Sequence, residues 1–308
     1  MSPEILNWTL FIAFIVIMLL LDLGIFNKRQ HEIKTKEALI TSGIWVLLAL
    51  IFNVFVFYYF GHQAGIDFFT GYLLEKSLSV DNIFVFILIF TYFDIPNKNQ
   101  HKILYWGIFG ALIMRAILII LGAALITKFS WMVIVFGIFL IVAGLKMAFQ
   151  KNDKVHPERN PVVKFAKKIF PISSEYRNGD FFVKIKGKGL FATPLLLVLI
   201  TVETTDLIFA FDSIPAILAI TQDTFIVFTS NAFAILGLRA LYFALAGFLD
   251  KFYYLKTGLS VVLVFIGMKM LISPVLHITT VTSLVIILII FSISISASLA
   301  REKARKEK

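Results

Sequence analysis

Asp81-Asn-Ile-Phe-Val-Phe86 returns 125 residues later as Asp206-Leu-Ile-Phe-Ala-Phe211. Two further echoes follow in the same order. Met114-Arg115-Ala-Ile-Leu-Ile-Ile-Leu-Gly122 is matched by Leu238-Arg239-Ala-Leu-Tyr-Phe-Ala-Leu-Ala-Gly247, at an offset of 124 through the arginine. Gly144-Leu-Lys146-Met147 is matched by Gly267-Met-Lys269-Met270 at 123. Three ordered matches whose offsets drift by one residue each mark an internal repeat.

Composition identifies the solvent. Of 308 residues, 59% are hydrophobic and only 16% charged, which is too little polar surface to coat a water-soluble core. The chain is read as an integral membrane protein. It has no cysteine and five scattered histidines, so disulfides, thiolate chemistry and zinc-ribbon sites are excluded, and a metal would be held by oxygen. No phosphate-binding lysine loop, dinucleotide fingerprint, HExxH or GxSxG motif is present. The expectation is a protein that is not an enzyme and has no permanently bound cofactor.

About 20 apolar residues are needed to cross the hydrocarbon core. Nine such spans are expected, near 5–26, 40–60, 67–93, 103–127, 130–149, 190–219, 225–249, 255–274 and 279–300. The first lacks a basic leader and cleavage site and is expected to be retained. Loops on one side of this arrangement carry 23 lysines and arginines, and those on the other carry only Lys128. The positive-inside rule then puts the N-terminus outside and the C-terminus in the cytoplasm. The net charge of +10 therefore reflects topology, with anionic lipids at the cytoplasmic face as partners and no nucleic acid. Oligomeric state is left open.

The repeat divides this array. Residues 1–66 form a two-helix N-terminal segment, 67–150 a first three-helix unit, 151–189 a basic cytoplasmic loop, 190–274 a second unit, and 275–308 a ninth helix with a basic tail. Within the loop, Phe181-Phe-Val-Lys-Ile-Lys-Gly-Lys-Gly189 alternates and then turns, as a short hairpin does. Each unit has three spans, so the second enters from the opposite side. The fold expected is all-α, nine-spanning, with inverted-topology repeats of spans 3–5 and 6–8, an architecture typical of secondary transporters.

Charge inside the spans locates a candidate site. Glu75, Asp81, Glu203 and Asp206 fall mid-span, where an ionised carboxylate costs at least ~2.5 kcal/mol and calls for a cation, a proton or a paired base. Arg115 and Arg239, equivalent in the repeat, are the expected charge partners. Glu75, Ser79 and Asn82 share a helix face, as do Glu203 and Asp206. Asp212 lies nearly opposite Glu203 on a straight helix, and Pro215 is expected to kink or break that helix, either as an ordinary end kink or to swing Asp212 inward. Closed ion pairing that only holds helices together is the competing reading. Oxygen ligands suit Mg²⁺, Ca²⁺ or Mn²⁺, while Met114, Met147, Met268 and Met270 offer sulfur, although single methionines in apolar helices ordinarily fill space.

Several motifs together resemble the TerC family, which takes its name from tellurium resistance, and the length is nearest its Alx-type members. They are Leu21-Asp22-Leu-Gly-Ile-Phe26 with His31-Glu32 and Lys36-Glu37-Ala38, Glu75-Lys-Ser-Leu-Ser-Val-Asp81-Asn82, and Glu203-Thr-Thr-Asp206-Leu-Ile-Phe-Ala-Phe-Asp212-Ser-Ile-Pro215-Ala. Phe181-Phe-Val leading to Phe191-Ala-Thr-Pro194-Leu joins them. The resemblance spans nearly the whole chain. It implies export of Mn²⁺ from the bacterial cytoplasm across the inner membrane, with Glu75, Asp81, Asn82, Glu203, Asp206 and Asp212 as metal ligands. Asp22, near the cytoplasmic end of its span, fits a role in metal access or at the helix end.

The expected activity is alternating-access export of a divalent cation, foremost Mn²⁺, in exchange for protons. The alternatives are a Ca²⁺/cation antiporter and a membrane scaffold of a metal or tellurite stress-response complex docked through the Lys151–Lys188 loop. An intramembrane enzyme ranks behind both.

Overall fold

The computed structural model describes residues 3–26, 35–129, 131–149, 171, 179–185, 189–245, 253–273, 275–276 and 278–306. Within them the chain runs α1 (Pro3–Phe26), α2 (Thr35–Tyr59), α3 (His62–Tyr92), α4 (Asn97–Lys128) and α5 (Met132–Phe149). A hairpin of β1 (Phe182–Ile185) and β2 (Gly189–Ala192) follows. Then come α6 (Pro194–Leu218), α7 (Thr224–Leu236), α8 (Leu238–Leu245), α9 (Leu255–Ile272) and α10 (Thr280–Lys306).

Eight of these segments are long and apolar enough to cross a membrane, counting α7 and α8 together as Thr224–Leu245. Helix α3 is not among the eight. At 31 residues it is about 46 Å long, ample for a bilayer, but it carries Asp67, Glu75, Lys76 and Asp81. The architecture is that of a multi-pass α-helical membrane protein. Its outer surface is built accordingly, with Leu10, Ile17 and Leu20 of α1 and Ile134, Ile138 and Val142 of α5 all exposed. Side chains that would drive aggregation in water are at home against lipid.

The least apolar of the eight spans, α7 with α8, is also the most buried. Surrounded by protein instead of lipid, it tolerates Thr229, Ser230 and Asn231 in sequence, all nearly inaccessible. Asp223 caps its start, accepting hydrogen bonds from the backbone N–H of Phe225 at 2.9 Å and Ile226 at 3.2 Å. An aromatic cluster clamps its flank, where Trp8 meets Phe225 edge-on at 5.2 Å and Phe52 meets Phe233 at 4.9 Å.

Helix pairing follows a two-fold scheme. Helix α4 packs on α6 as extensively as α3 packs on α7, and α5 makes its main contact with α9. The α5–α9 crossing is close because it is lined with small residues. A Cβ on Gly144 would meet the Ser260 carbonyl at 2.7 Å, and one on Gly267 would meet the Gly137 carbonyl at 2.6 Å. Adding 123 to Gly144 gives Gly267, and adding 123 to Gly137 gives Ser260. Each contact is thus the other with the two units exchanged.

Three boundaries differ from the sequence reading. Residues 190–192 belong to β2, and α6 starts at Pro194, whose missing N–H costs nothing at the first helical turn. The hairpin pairs Phe182 with Ala192 and Lys184 with Leu190. Helix α6 continues through Pro215 to Leu218 instead of breaking there. So near the end, the proline forfeits one hydrogen bond without stopping the last turn. The interruption lies at Gly237, between α7 and α8. Helix α7 ends there with carbonyls to satisfy, and Lys76 donates to that of Ala234 at 3.4 Å.

Candidate functional site: an acid–arginine network at the helix junction

Helices α3, α4, α6 and α7 converge, and one guanidinium occupies the junction. Arg115 of α4 has 1% of its surface accessible, so each of its N–H groups must find a partner inside the protein. Its Nε and Nη2 grip Asp206 of α6 as a fork, at 3.3 Å to Oδ2 and 3.2 Å to Oδ1. Its Nη1 reaches Glu75 of α3 in a direct ion pair, the Ser213 hydroxyl at 3.1 Å and Oδ1 of Asn231 at 3.2 Å. Asn231 of α7 closes the ring by donating Nδ2 to Glu75 Oε2 at 3.0 Å. Two buried carboxylates share one arginine, which leaves a formal charge of −1 on the ionised network.

Beside this ring is a cleft of about 260 Å³, its open mouth included. Glu75, Asn82, Arg115, Asp212 and Ser213 supply its polar wall, and Leu78, Met147 and Phe209 its apolar one. Asp212 reaches the cleft from an unbroken helix. Ser213, seven residues after Asp206, lies on the face that Arg115 grips, and Asp212 is about 100° round from it. The Ser79 hydroxyl is buried without a hydrogen-bond partner among the described residues, one turn from both Glu75 and Asn82 on α3.

The structure therefore gathers Glu75, Asn82, Asp206 and Asp212 around Arg115. Glu203 lies apart from that ring, with its carboxyl group laid against α4 at Gly110, where a Cβ would occupy the same space. One of its oxygens is buried and has no partner among the described residues. Arg239, on α8, lines a separate cleft with Thr41, Trp45 and Phe243. The side chains of Asp81 and Asp22 lie outside the described residues, although α3 and α1 run through both positions. Among the described residues no three acidic or histidine side chains form a preassembled metal cage. A guanidinium sits among the acids instead.

Sequence reasoning did not find Asn231 or Ser213. The signal available for Asn231 was the run Thr229-Ser230-Asn231 inside an apolar span, where three adjacent polar residues point to protein neighbours and not lipid. For Ser213 there was none, because a lone serine is common in any membrane helix.

A bundle of apolar helices built around a buried ring of Glu75, Arg115 and Asp206 defines a multi-pass α-helical membrane protein with a charged core. Residues 60–306 match the Integral membrane protein TerC family, and the chain belongs to that family. It is 49% identical over 296 residues to the "Uncharacterized membrane protein STKORF319" of Myxococcus xanthus, covering 96% of this chain and 92% of that protein. It is 48% identical over 282 residues to the "Putative membrane-bound redox modulator Alx" of Photorhabdus laumondii, covering 89% and 88%. The Escherichia coli K12 protein of the same name is 45% identical over 288 residues, covering 91% and 89%. No solved structure matches the chain.

Proposed function

We propose that this TerC-family protein is a secondary transporter of the bacterial inner membrane that exports a divalent cation, foremost Mn²⁺, by alternating access in exchange for protons. The observation that carries the reading is the charge balance at the helix junction. Glu75 and Asp206 share the single guanidinium of Arg115, and Glu75 and Asp212 line the cleft beside it, so the ionised Glu75–Arg115–Asp206 network is short of positive charge. A dication entering the cleft supplies it, and the oxygens of Asn82 and Ser213 complete a hard-donor set. Glu75 and Asp206 are then ligands that change partner, held by Arg115 without metal and released toward the metal when it arrives.

The pairing scheme of the helices supports alternating access. The α5–α9 contacts related by unit exchange fit two inverted repeats, with α3 crossing as a ninth span and the acidic ring at the interface between them. Proton uptake by the same carboxylates removes the charge that holds the metal and frees it on the outer side. A redox role, as in the relatives' name, has no thiol to run through, since the chain contains no cysteine.

The test is cellular manganese in cells expressing wild type or Asp206→Asn. Lower manganese with wild type and accumulation with the variant are expected. Equal content in both sinks the exporter reading. Flux in proteoliposomes that ignores an imposed pH gradient removes the proton coupling while leaving export in place.

A further inference from the structure

Oxygen donors alone do not separate Mn²⁺ from Mg²⁺ and Ca²⁺, since carboxylates and carbonyls suit all three. The cleft beside Arg115 contains one donor of another kind. Among the described side chains that line it, only Met147 carries sulfur. It is also the sole contribution of α5 to a wall otherwise built by α3, α4 and α6.

The repeat gives Met147 a counterpart in a different setting. At the offset of 123 that relates the α5–α9 contacts, Met147 corresponds to Met270. Met270 is buried to 4% exposure in an apolar cluster with Leu259, Leu263 and Ile266. Met147 touches the edge of the same cluster but also faces Glu75, Asn82 and Asp212 across the cleft. The same residue at the same register fills a core in one unit and meets acids in the other.

We propose that the Met147 thioether is the selectivity element of the cleft, favouring first-row transition dications such as Mn²⁺ over Mg²⁺ and Ca²⁺. The inference rests on the reading of this cleft as the transport site. Hard alkaline-earth ions gain nothing from a polarisable sulfur and lose an oxygen where it sits, whereas first-row transition dications accept it, Mn²⁺ the least strongly of them. The thioether also lacks charge, so it discriminates without adding to the binding of every cation.

The experiment uses the full chain in proteoliposomes and follows Mn²⁺ flux in competition with Ca²⁺, Mg²⁺ and the soft probe Cd²⁺. Met147→Leu keeps the volume and removes sulfur. Met147→Gln keeps the length and offers oxygen and nitrogen, and it serves if the leucine variant does not fold. In either variant the preference of flux for Mn²⁺ over Ca²⁺ is expected to fall about tenfold, or ~1.4 kcal/mol, and Cd²⁺ becomes a correspondingly weaker inhibitor. Met270→Leu is expected to shift neither ratio. Competition ratios unchanged in both Met147 variants, with Mn²⁺ flux intact, overturn the proposal. A wild type that moves no dication overturns the transport reading beneath it instead.

Discussion

At the residue scale, Arg115 concentrates the energetic risk of the fold. Its guanidinium and the Glu75 and Asp206 carboxylates are all buried, so removing the cation alone strands two charges where water does not reach them. Breaking such a group from one side costs about 3–5 kcal/mol, whereas replacing every member by neutral residues is far less damaging. Arg115→Met is therefore expected to unfold much earlier than wild type in thermal scans in detergent. Adding Glu75→Gln and Asp206→Asn to it should recover most of the loss, and a triple variant no more stable than Arg115→Met contradicts the buried-charge account. Glu203 gives a second case. Its carboxyl group fills the space above Gly110, so Gly110→Ala is an overpacking change worth about 1–3 kcal/mol. Glu203→Ala vacates that space, and the Gly110→Ala/Glu203→Ala pair is expected to show favourable coupling of roughly 1 kcal/mol in a double-mutant cycle. Strict additivity means that the two residues do not touch.

At the element scale, the α5–α9 crossing depends on having nothing on its glycines. Gly144→Val places atoms against the Ser260 carbonyl, a backbone group that has no freedom to move aside, and the expected loss is about 1–3 kcal/mol. Gly267→Val meets the Gly137 carbonyl in the equivalent way and should cost a similar amount, while Val142→Leu on the lipid-facing side of α5 should cost little. Thermal scans of the three variants in detergent check this ordering. The elements also show which parts of the sequence could be read. Helices announced themselves because the bilayer demands about 20 apolar residues for each crossing, and the hairpin did so by its alternation. The break did not. Pro215 was the obvious candidate, but a proline near a helix end removes only one bond, whereas Gly237 interrupts a helix whose freed carbonyl is met by Lys76 from α3. That compensation comes from another helix and has no local signature. The same holds for Asn231, whose role is set by how closely α7 approaches α3 and α4.

At the scale of the whole molecule, the acids were legible one by one and their arrangement was not. Charge inside an apolar span marks Glu75, Glu203 and Asp206 alike, because the membrane penalises each equally. Only packing separates Asp206, gripped by Arg115, from Glu203, laid on Gly110. The order of units in the membrane is testable without any reference to metal. If three spans lie between each pair of positions, Tyr58 and Val275 face the outside and Phe149 faces the cytoplasm. All three are well exposed, at 89%, 94% and 82%, and the chain has no cysteine to interfere. Single variants Tyr58→Cys, Phe149→Cys and Val275→Cys are therefore expected to divide cleanly with a membrane-impermeant thiol reagent. The first and third should label in intact cells, and the second only after permeabilisation. An even number of crossings in either unit would place Phe149 on the same side as Tyr58 or as Val275. A Phe149→Cys variant that labels on the same side as Tyr58→Cys or Val275→Cys thus removes the inverted repeat, and with it the two-fold argument that sets the acidic ring at an interface able to open to either side.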